Sequence, residues 1–376
     1  MSRVPVALER RSGAVRPPTL QTLPVAVTAN VARVRARTAS TIMAVVKADG
    51  YGHGAVTVAR AAVAAGAGWL GTTSVAEACA LRAAGLAVPI LTWLHPYGID
   101  AEAAVAAGVD VAVGSVDELD ALVARAPSTV RVHLHMDTGM SRGGCPRGQW
   151  DELIGLAQRG QQIGRVSVGG VMGHLALADR ADPAANAAAV AGMREARRAV
   201  RAAGLGTPPA HLAATSGTLT DPATHFDMVR VGAGLVGIDP SETVEMRGAS
   251  RLTATIVHTT AAAAGTPVGY SGAYVTDRAT HLSVLPVGYA DGIPRECSSQ
   301  AGVEIRGRRF PVVGRVSMDQ IVIDTGAASF PAGTTATVFG PDGGATPSVQ
   351  DWARWAGTIP HTIVTGIGPR VKRTTA

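Results

Sequence analysis

Eight short runs rich in β-branched residues alternate with longer alanine-rich runs between residues 41 and 238. The intervening stretches, such as VDELDALVARA, have the periodicity of amphipathic helices. Eight strand-helix units in about 200 residues predict an α/β fold, a (β/α)8 TIM barrel. The predicted strands are TIMAVVKAD (41–49), GWLGTTS (68–74), PILTWL (89–94), VDVAVGS (109–115), VRVHLHMD (130–137), VGGVMGHL (168–175), PAHLAATS (209–216) and DMVRVGAGLVGI (227–238).

The pattern changes near residue 250. From there to about residue 345 the chain is rich in β-branched residues, glycine and proline, with little helical periodicity. This composition predicts a separate, mainly antiparallel β domain. The tail over 349–373 predicts one short helix and one more strand. We therefore expect a barrel domain over residues 1–245 and a C-terminal β domain over 246–376.

Charge and cysteine content narrow the class of protein. The net charge is +6, but the arginines are scattered, and the densest stretch, REARRAVRAAG (194–204), predicts an exposed helix face. We expect no nucleic-acid or membrane partner. The three cysteines, Cys79, Cys145 and Cys297, lack metal-site spacing, which indicates a reducing compartment. The first twenty residues lack the apolar core of a signal peptide, so we predict a cytoplasmic protein.

Lys47 is the most unusual residue of the barrel region. It follows the apolar run of the first predicted strand and is one of only two lysines in the chain, the other being Lys372; the remaining 32 basic residues are arginines. A guanidinium stays protonated, whereas an amine can lose its proton and act as a nucleophile or base. Lys47 is therefore a candidate catalytic residue.

Other polar residues also follow predicted strands, and the ends of barrel strands form one face, where active sites lie. Glycine-rich loops and the Ser216-Gly217 turn accompany them. An amine beside such loops suits an aldehyde cofactor with a phosphate group, pyridoxal phosphate. The residues at strand ends are Lys47, Asp137, Arg142, His174, Ser216 and Arg230.

The segment AVVKADGYGHG (44–54) closely resembles the cofactor attachment segment of the alanine racemases. The resemblance extends from about residue 25 to the C-terminus, in the same order along both predicted domains. It implies an isomerase that interconverts L- and D-alanine, a peptidoglycan precursor, with pyridoxal phosphate. The other matching segments are MDTGMSRGG (136–144), GHLALAD (173–179), AATSG (213–217), VRVGAGLVG (229–237), VGYSGAY (268–274), LPVGYADGIPR (285–295) and VVGRVSMDQ (312–320).

The resemblance implies specific roles in the barrel. Lys47 is similar to the lysine that attaches the cofactor and serves as one of two bases. Arg230 resembles the partner of the pyridine nitrogen, and Arg142 resembles the contact of the ring oxygen and substrate carboxylate. Tyr51 resembles a contact of the phosphate. The residues implied to bind the cofactor are Lys47, Tyr51, His174, Ser216, Arg230 and Gly232.

In the second domain, Tyr270 resembles the other base, and the backbone of Met318 resembles a contact of the substrate carboxylate. The family also implies a homodimer in which the second domain of one subunit completes the active site of the other. Three residues are similar to members of the access corridor: Tyr289, Arg295 and Arg315.

The physics of racemisation agrees with this assignment. A proton must leave one face of the α-carbon and return on the other, so two bases are needed, and Lys47 and Tyr270 can supply them. A tyrosine with a pKa of about 10 is a poor base unless nearby cations or donors lower that value. Arg230 and His174 could form such a relay.

Three positions depart from the family pattern. His135 stands where many members have a lysine, often carbamylated, that orients the arginine corresponding to Arg142. Thr215 replaces an asparagine, and Pro369 stands where a tyrosine commonly touches the phosphate and narrows the access. These changes leave the substrate side chain open.

Several other functions stay open at this stage. They are a racemase of another small amino acid such as serine, a pyridoxal-phosphate decarboxylase or D-amino-acid aldolase of the same barrel, and a cofactor-carrying binding protein. The segments VGYSGAY and VSMDQ favour the racemase over a decarboxylase, and the residues beyond 250 disfavour a single-barrel binding protein.

Overall fold

The computed structural model of the chain describes residues 14–297 and 299–376. It contains two compact units. The barrel unit comprises residues 24–247, and the β unit comprises the described residues from 248 onward together with residues 14–23. The N-terminal residues 1–13, on which part of the signal-peptide expectation depends, lie outside the described residues.

The barrel unit is a closed barrel of eight parallel strands, as the alternation of strand and helix patterns predicts. All eight predicted strands are confirmed, each within or close to its expected bounds. The strands are Thr41–Val45, Trp69–Thr72, Ile90–Thr92, Asp110–Val113, Val130–His135, Val166–Met172, Ala210–His211 and Met228–Val231. The helices of this unit are Pro24–Arg35, Ala55–Ala64, Val75–Ala83, Ala101–Ala106, Val116–Arg125, Trp150–Gln162, Pro183–Ala202 and Thr215–Thr220.

Local signals set where the outer helices begin. The Ser74 side chain accepts a hydrogen bond from the Glu77 N–H (3.2 Å), and the Ser115 side chain accepts one from the Glu118 N–H (3.1 Å). Both are N-caps, in which a hydroxyl satisfies a backbone donor that has no partner inside the helix. The barrel strands therefore end in short loops at defined positions.

The strand Val130–His135 shows how the barrel separates its two sides. Val130, Val132 and Leu134 pack into the apolar layer beneath the helices. The alternate residues Arg131, His133 and His135 face the opposite way, because successive side chains of a strand point to opposite faces. The interior of the barrel thus receives polar groups beside the apolar cluster that contains Met43, Leu91, Trp93, Met172 and Met228.

The β unit is built on a nine-stranded sheet in which all but one of the strand pairs are antiparallel. Its strands are Thr19–Thr22, Ser250–Thr255, His258–Ala262, Thr280–Leu285, Gly302–Ile305, Arg308–Val313, Ile321–Gly326, Thr335–Phe339 and Lys372–Thr375. A separate hairpin joins Pro267–Val268 and Tyr274–Val275. Trp352, fully buried, anchors the helix Val349–Trp355 to the sheet by donating a hydrogen bond from Nε1 to the Val338 carbonyl (2.7 Å).

The structure corrects two sequence expectations. The segment Thr19–Thr22, expected in the barrel domain, pairs with Ser250–Thr255 and Lys372–Thr375 of the β unit. Four residues without marked periodicity cannot reveal such a distant partner, since the pairing is decided by sheet edges formed much later in the chain. The C-terminal tail contains a second short helix, Pro360–Thr365, in addition to the one expected.

No helix in the described part of the chain is long and apolar enough to cross a membrane. The three cysteines are unpaired thiols.

Candidate active site

A left-handed turn follows the first barrel strand and presents Lys47. The four residues after Lys47, from Ala48 to Tyr51, have φ between 51° and 63°. Only Gly50 adopts this region without cost, since each of the other residues loses about 1–2 kcal/mol there. Strain of this kind persists where surrounding bonds enforce it, and it is concentrated at functional sites.

Two carboxylates enforce the turn. Glu77 accepts a hydrogen bond from the Ala48 N–H (2.8 Å), and Asp49 accepts one from the Ala55 N–H (2.9 Å). Gly50 is buried, and a Cβ on it would lie 3.1 Å from the Ala55 Cα atom. The glycine-rich sequence after Lys47 is therefore required by a turn that is both left-handed and tightly packed.

The environment of Lys47 favours its neutral amine. Burial lowers the pKa of Lys47, and the nearby guanidinium groups of Arg142 and Arg230 lower it further, although Glu77 opposes them. A lysine with a depressed pKa is a better nucleophile and base near neutral pH. The structure therefore gives Lys47 the property that its position in the sequence suggested.

Arg230 is fixed in the barrel interior, where its side chain is almost completely buried. The four N–H groups on the two terminal nitrogens of its guanidinium donate to five acceptors, so one N–H is shared between two of them. Three of the acceptors are the carbonyls of Gly173, His211 and Leu212, and two are the Nδ1 atoms of His174 and His211. Burial lowers the pKa of Arg230 to about 10, so the group remains protonated at neutral pH.

One donor of Arg230 remains available. The Nε–H group has no acceptor among the residues that the structure describes. A buried guanidinium whose terminal nitrogens are all engaged can still donate this hydrogen to a ligand acceptor, such as a ring nitrogen.

His174 receives its orientation from Arg230. Its Nδ1 atom lies 3.0 Å from an Arg230 terminal nitrogen, and because a guanidinium can only donate, Nδ1 must be the acceptor. Burial lowers the pKa of His174 to about 3, with further contributions from Arg230 and Arg142. The neutral ring therefore carries its proton on Nε2, which makes that atom a hydrogen-bond donor.

Tyr51 and Gly232 approach each other closely. A Cβ on residue 232 would overlap the Tyr51 hydroxyl, so only glycine leaves room for it. Burial raises the pKa of the Tyr51 phenol and keeps it protonated. On the adjoining turn, Thr215 accepts a hydrogen bond from the Gly234 N–H (3.1 Å). The resulting cradle of backbone and hydroxyl groups, with Ser216 beside it, suits a phosphate.

The loop after the fifth strand holds Arg142 without a partner among the described residues. One oxygen of Asp137 accepts hydrogen bonds from the N–H groups of Gly139, Met140 and Ser141 (2.9–3.1 Å), which shapes the loop. No hydrogen bond or ion pair of the Arg142 side chain occurs within the described residues. Burial lowers the pKa of His135 to about 4. The neutral imidazole therefore supplies no negative charge to orient Arg142.

In the β unit, Tyr270 lies at the tip of the hairpin, with 64% of its surface exposed. The preceding Gly269 has a φ of 70°, and Ser271 has a φ of 59°, so the tip is a tight, left-handed turn. Tyr274 fixes the hairpin by donating a hydrogen bond to Asp324 (3.2 Å). A cleft of about 610 Å³ is lined by Gly269, Tyr270, Ser317, Met318, Asp319 and Gln320.

Met318 belongs to a turn that packs against the segment 288–291. Its carbonyl accepts a hydrogen bond from the Ala290 N–H (3.0 Å), and no acceptor for its own N–H is present in the described residues. Pro369 is exposed, and its neighbour Arg370 bonds Asp319 (2.8 Å) and Asp291 (3.1 Å). The C-terminal strand is thereby fastened to the Met318 turn.

The predicted site residues fall into two groups. Within the barrel unit, Lys47 and His174 lie close enough to Arg230 for its charge to lower the pKa of both. The Tyr51 hydroxyl lies directly beside Gly232. Within the β unit, Tyr270 and Met318 line one cleft. Of the expected corridor residues, Arg295 lies over the Tyr289 ring (5.8 Å to its centroid), and Arg315 packs against the hairpin at Gly269.

The sequence did not indicate the groups that lie behind Arg230. His211 and His133 are completely buried in the barrel, and Glu77 braces the turn after Lys47. The signal was available for His133, because the alternation in VRVHLHMD places Arg131, His133 and His135 on one face of a strand. His211 lies in a strand of two residues, where no alternation can be read.

A (β/α)8 barrel with an amine at the end of its first strand, followed in the same chain by a β unit carrying an exposed tyrosine, defines a class of two-unit barrel proteins. The family described as Alanine racemase, N-terminal domain, matches residues 24–240, and the family described as Alanine racemase, C-terminal domain, matches residues 249–375. The chain belongs to the alanine racemase family.

Individual relatives match nearly the whole chain. The alanine racemase of Thermobifida fusca is 41% identical over 355 residues, covering 93% of this chain and 95% of that protein. The crystal structure of alanine racemase from D-cycloserine producing Streptomyces lavendulae has a TM-score of 0.91 at 38% identity, covering 96% of this chain and 98% of that one. The alanine racemase structure from Bartonella henselae, which has covalently bound pyridoxal phosphate, has a TM-score of 0.84 at 26% identity, with coverages of 96% and 100%.

Proposed function

We propose that the protein is a pyridoxal-phosphate-dependent isomerase that interconverts L- and D-alanine. One observation carries the proposal. The terminal nitrogens of Arg230 all donate to protein acceptors, whereas its Nε–H group has no acceptor in the described structure and is available to a ligand. Such a donor beside a lysine of lowered pKa fits a pyridine ring attached to Lys47. The relatives named alanine racemase support the same reaction.

The residues of the barrel mouth fit the cofactor at each end. Tyr51 and Ser216, with the backbone at Gly232, would hold its phosphate, because a side chain at residue 232 would fill that space. Arg230 would donate to the ring nitrogen, and His174 would lie beside the ring. Pyridoxal phosphate supplies an electron-withdrawing ring that stabilises the charge left on the α-carbon when its proton is removed.

Arg230 controls how strong that electron withdrawal becomes. Burial lowers its pKa only to about 10, well above that of a pyridine nitrogen, so Arg230 keeps its proton and would give a bound ring nitrogen only a hydrogen bond. The ring would then withdraw electrons less strongly, and negative charge on the α-carbon would be shorter-lived. Side reactions that need a long-lived charge, such as transamination, would thereby be limited.

Lys47 and Tyr270 move the proton. Lys47 Nζ takes or returns it on one face of the α-carbon, and the Tyr270 hydroxyl does so on the other. The neutral His174 can donate from Nε2 to the Tyr270 oxygen, which stabilises the phenolate and lowers the pKa of the tyrosine. Arg142 and the Met318 N–H would bind the substrate carboxylate, since neither has a partner within the described residues.

A second copy of the chain would bring the two groups together. Tyr270 is exposed on a hairpin of its own unit, and a base works only when it lies against the substrate. We propose a homodimer in which the β unit of each subunit supplies Tyr270 and Met318 to the barrel of the other. Tyr289, Arg295 and Arg315 would line the access, and we propose the cytoplasm as the location.

Incubation with pyridoxal phosphate and a panel of L-amino acids, followed by chiral analysis, tests this function. We expect D-alanine to form faster than any other D-amino acid. Reduction with borohydride before digestion should add the cofactor mass to the Lys47 peptide and leave the peptide of Lys372 unchanged. Faster conversion of serine would change the substrate, whereas absence of any racemisation by the cofactor-loaded protein would refute the function.

A further inference from the structure

A line of four buried side chains crosses the interior of the barrel from Arg230. The Arg230 guanidinium lies 2.9 Å from Nδ1 of His211, and Nε2 of His211 lies 2.8 Å from Nδ1 of His133. Nε2 of His133 lies 3.2 Å from an oxygen of Asp110. These residues come from four different strands, so the line exists only in the closed barrel.

The two ends of the line determine the proton position on both histidines. Arg230 can only donate, so Nδ1 of His211 is an acceptor and its proton lies on Nε2. That proton is donated to Nδ1 of His133, whose own proton must then lie on Nε2. The carboxylate of Asp110 can only accept, and it receives this last hydrogen. In every hydrogen bond of the line, the donor therefore lies on the Arg230 side and the acceptor on the Asp110 side.

The surroundings keep the two histidines neutral. His133 and His211 are fully buried, and burial lowers the pKa of both below the ordinary value. The Trp69 ring packs edge-on against His133, with 5.7 Å between centroids. Asp110 begins its strand, at the end of the barrel opposite to the loops that carry the active site, and it also lies 3.4 Å from Arg131, a half-exposed residue.

We propose that Asp110 and His133 are positioning residues that orient the Arg230 guanidinium through His211. The inference rests on the proposed function only in what Arg230 then does, which is to hold the pyridine ring; the orientation itself is a property of the protein. Asp110 acts from the far end of the barrel because it supplies the acceptor at which the line ends.

Removing the carboxylate would leave the Nε2–H group of His133 without its acceptor in a buried site, which is costly. His133 can avoid that cost by carrying its proton on Nδ1, but this hydrogen would then oppose the Nε2–H of His211. Arg230 still requires an acceptor at Nδ1 of His211, so the contact between the two histidines would weaken. His211 would no longer be held firmly against Arg230, and the guanidinium would lose part of its orientation.

The first experiment measures the proton positions directly in the full-length protein without cofactor. Long-range proton-nitrogen NMR spectra of protein with ¹⁵N-labelled histidine distinguish Nδ1–H from Nε2–H rings. We expect Nε2–H at both His133 and His211 in the wild type, and a population of Nδ1–H at His133 in Asp110→Leu. Asp110→Asn keeps an oxygen acceptor and should restore the wild-type pattern.

The second experiment measures racemisation of the same variants with cofactor. Asp110→Leu should lower kcat about tenfold, equivalent to about 1.4 kcal/mol, with a much smaller change in KM, since substrate contacts are untouched. Asp110→Asn should recover most of the loss. Arg131→Gln serves as the control, because it removes the exposed ion pair and leaves the acceptor in place; it should behave as wild type.

Specific results would contradict the positioning role of Asp110. The proposal is wrong if His211 carries its proton on Nδ1 in the wild type, or if Asp110→Leu changes neither the proton position nor kcat. Equal losses in Arg131→Gln would assign the effect to the ion pair instead. If Asp110→Leu does not fold, His133→Phe interrupts the same line and should give the same loss in kcat. The NMR result stands even if the proposed function fails.

Discussion

The barrel mouth and the Tyr270 hairpin hold their proposed functional side chains in opposite ways. Arg230 is 3% exposed and is fixed by hydrogen bonds to five acceptors, whereas Tyr270 is 64% exposed and, among the described residues, has no hydrogen bond from its side chain. A charge that polarises a ring must be precisely oriented and dry. A base that is contributed by one subunit to the active site of another must be exposed on its own subunit, so that the second subunit can bind over it.

The difference predicts how each region responds to substitution. Changes in the barrel mouth should affect cofactor binding and the electrostatics of the site, because its groups depend on one another. Changes at the hairpin should affect one proton transfer and leave the cofactor in place.

Lys47→Ala should have the largest effect. The amine that we propose attaches the cofactor and moves a proton is lost, so racemisation should fall at least about 10³-fold, and cofactor absorbance should shift to that of the free aldehyde. Activity and absorbance spectra measure both. Lys372→Ala removes the only other lysine, which is exposed in the β unit, and should match the wild type. Normal activity in Lys47→Ala would remove the barrel mouth from the reaction.

Tyr270→Phe should have the next largest effect. Racemisation should fall about 10²-fold in both directions, because the equilibrium between mirror images fixes their ratio. Exchange of the α-hydrogen with solvent deuterium should be lost from L-alanine far more than from D-alanine, where Lys47 acts. Cofactor absorbance should persist.

Tyr274→Phe is the matched control for the hairpin. Its hydroxyl bonds Asp324 and not the cleft, so this variant should lower the free energy of unfolding by about 1 kcal/mol and keep the exchange pattern of the wild type. Equal losses of exchange from both alanine enantiomers in Tyr270→Phe would contradict the two-base assignment.

Gly232→Ala should have a moderate effect confined to cofactor binding. The new Cβ would displace the Tyr51 hydroxyl from the proposed phosphate cradle, which should raise the cofactor Kd about tenfold, as for the loss of about 1.4 kcal/mol. Backbone strain is not involved, because φ at residue 232 is −122°.

Absorbance titration with pyridoxal phosphate measures the change in Kd. Gly148→Ala is the control, since a Cβ there would meet no atom within 4 Å. An unchanged Kd in Gly232→Ala would place the phosphate elsewhere.

His174→Asn should give the smallest effect, on the pH dependence of stability. In the folded protein the pKa of His174 falls from 6.5 to about 3, so between these values the unfolded state binds more protons. The contribution of His174 to the free energy of unfolding should therefore be fully present above about pH 6.5 and decrease as the pH is lowered. His174→Asn should show a shallower fall.

Denaturant unfolding at pH 7, 6, 5 and 4 measures this slope. His258→Asn changes an exposed histidine of the β unit and should keep the wild-type slope. If His174→Asn also keeps it, the imidazole is not held neutral by the barrel.

The sequence indicated which residues lie at the barrel mouth but not how they are arranged. The short apolar runs predicted all eight strands, and polar residues after them indicated Lys47, His174 and Arg230. It did not place Thr19–Thr22 in the β unit, because a four-residue segment has no periodicity that names its partner. It also identified Asp137 only as a polar residue at a strand end, whereas in the structure one oxygen of Asp137 caps its own loop.

The sequence by itself determined the barrel, the β unit and the chemical types of the groups, because hydrophobic periodicity and residue identity are local properties. Only the tertiary structure decided that Asp110, His133 and His211 form a directed line behind Arg230. Hydrogen bonds between strands far apart in the chain depend on register and barrel closure, which no local pattern contains. The same reason explains why the low pKa of His174 follows from burial beside Arg230, a neighbour 56 positions away.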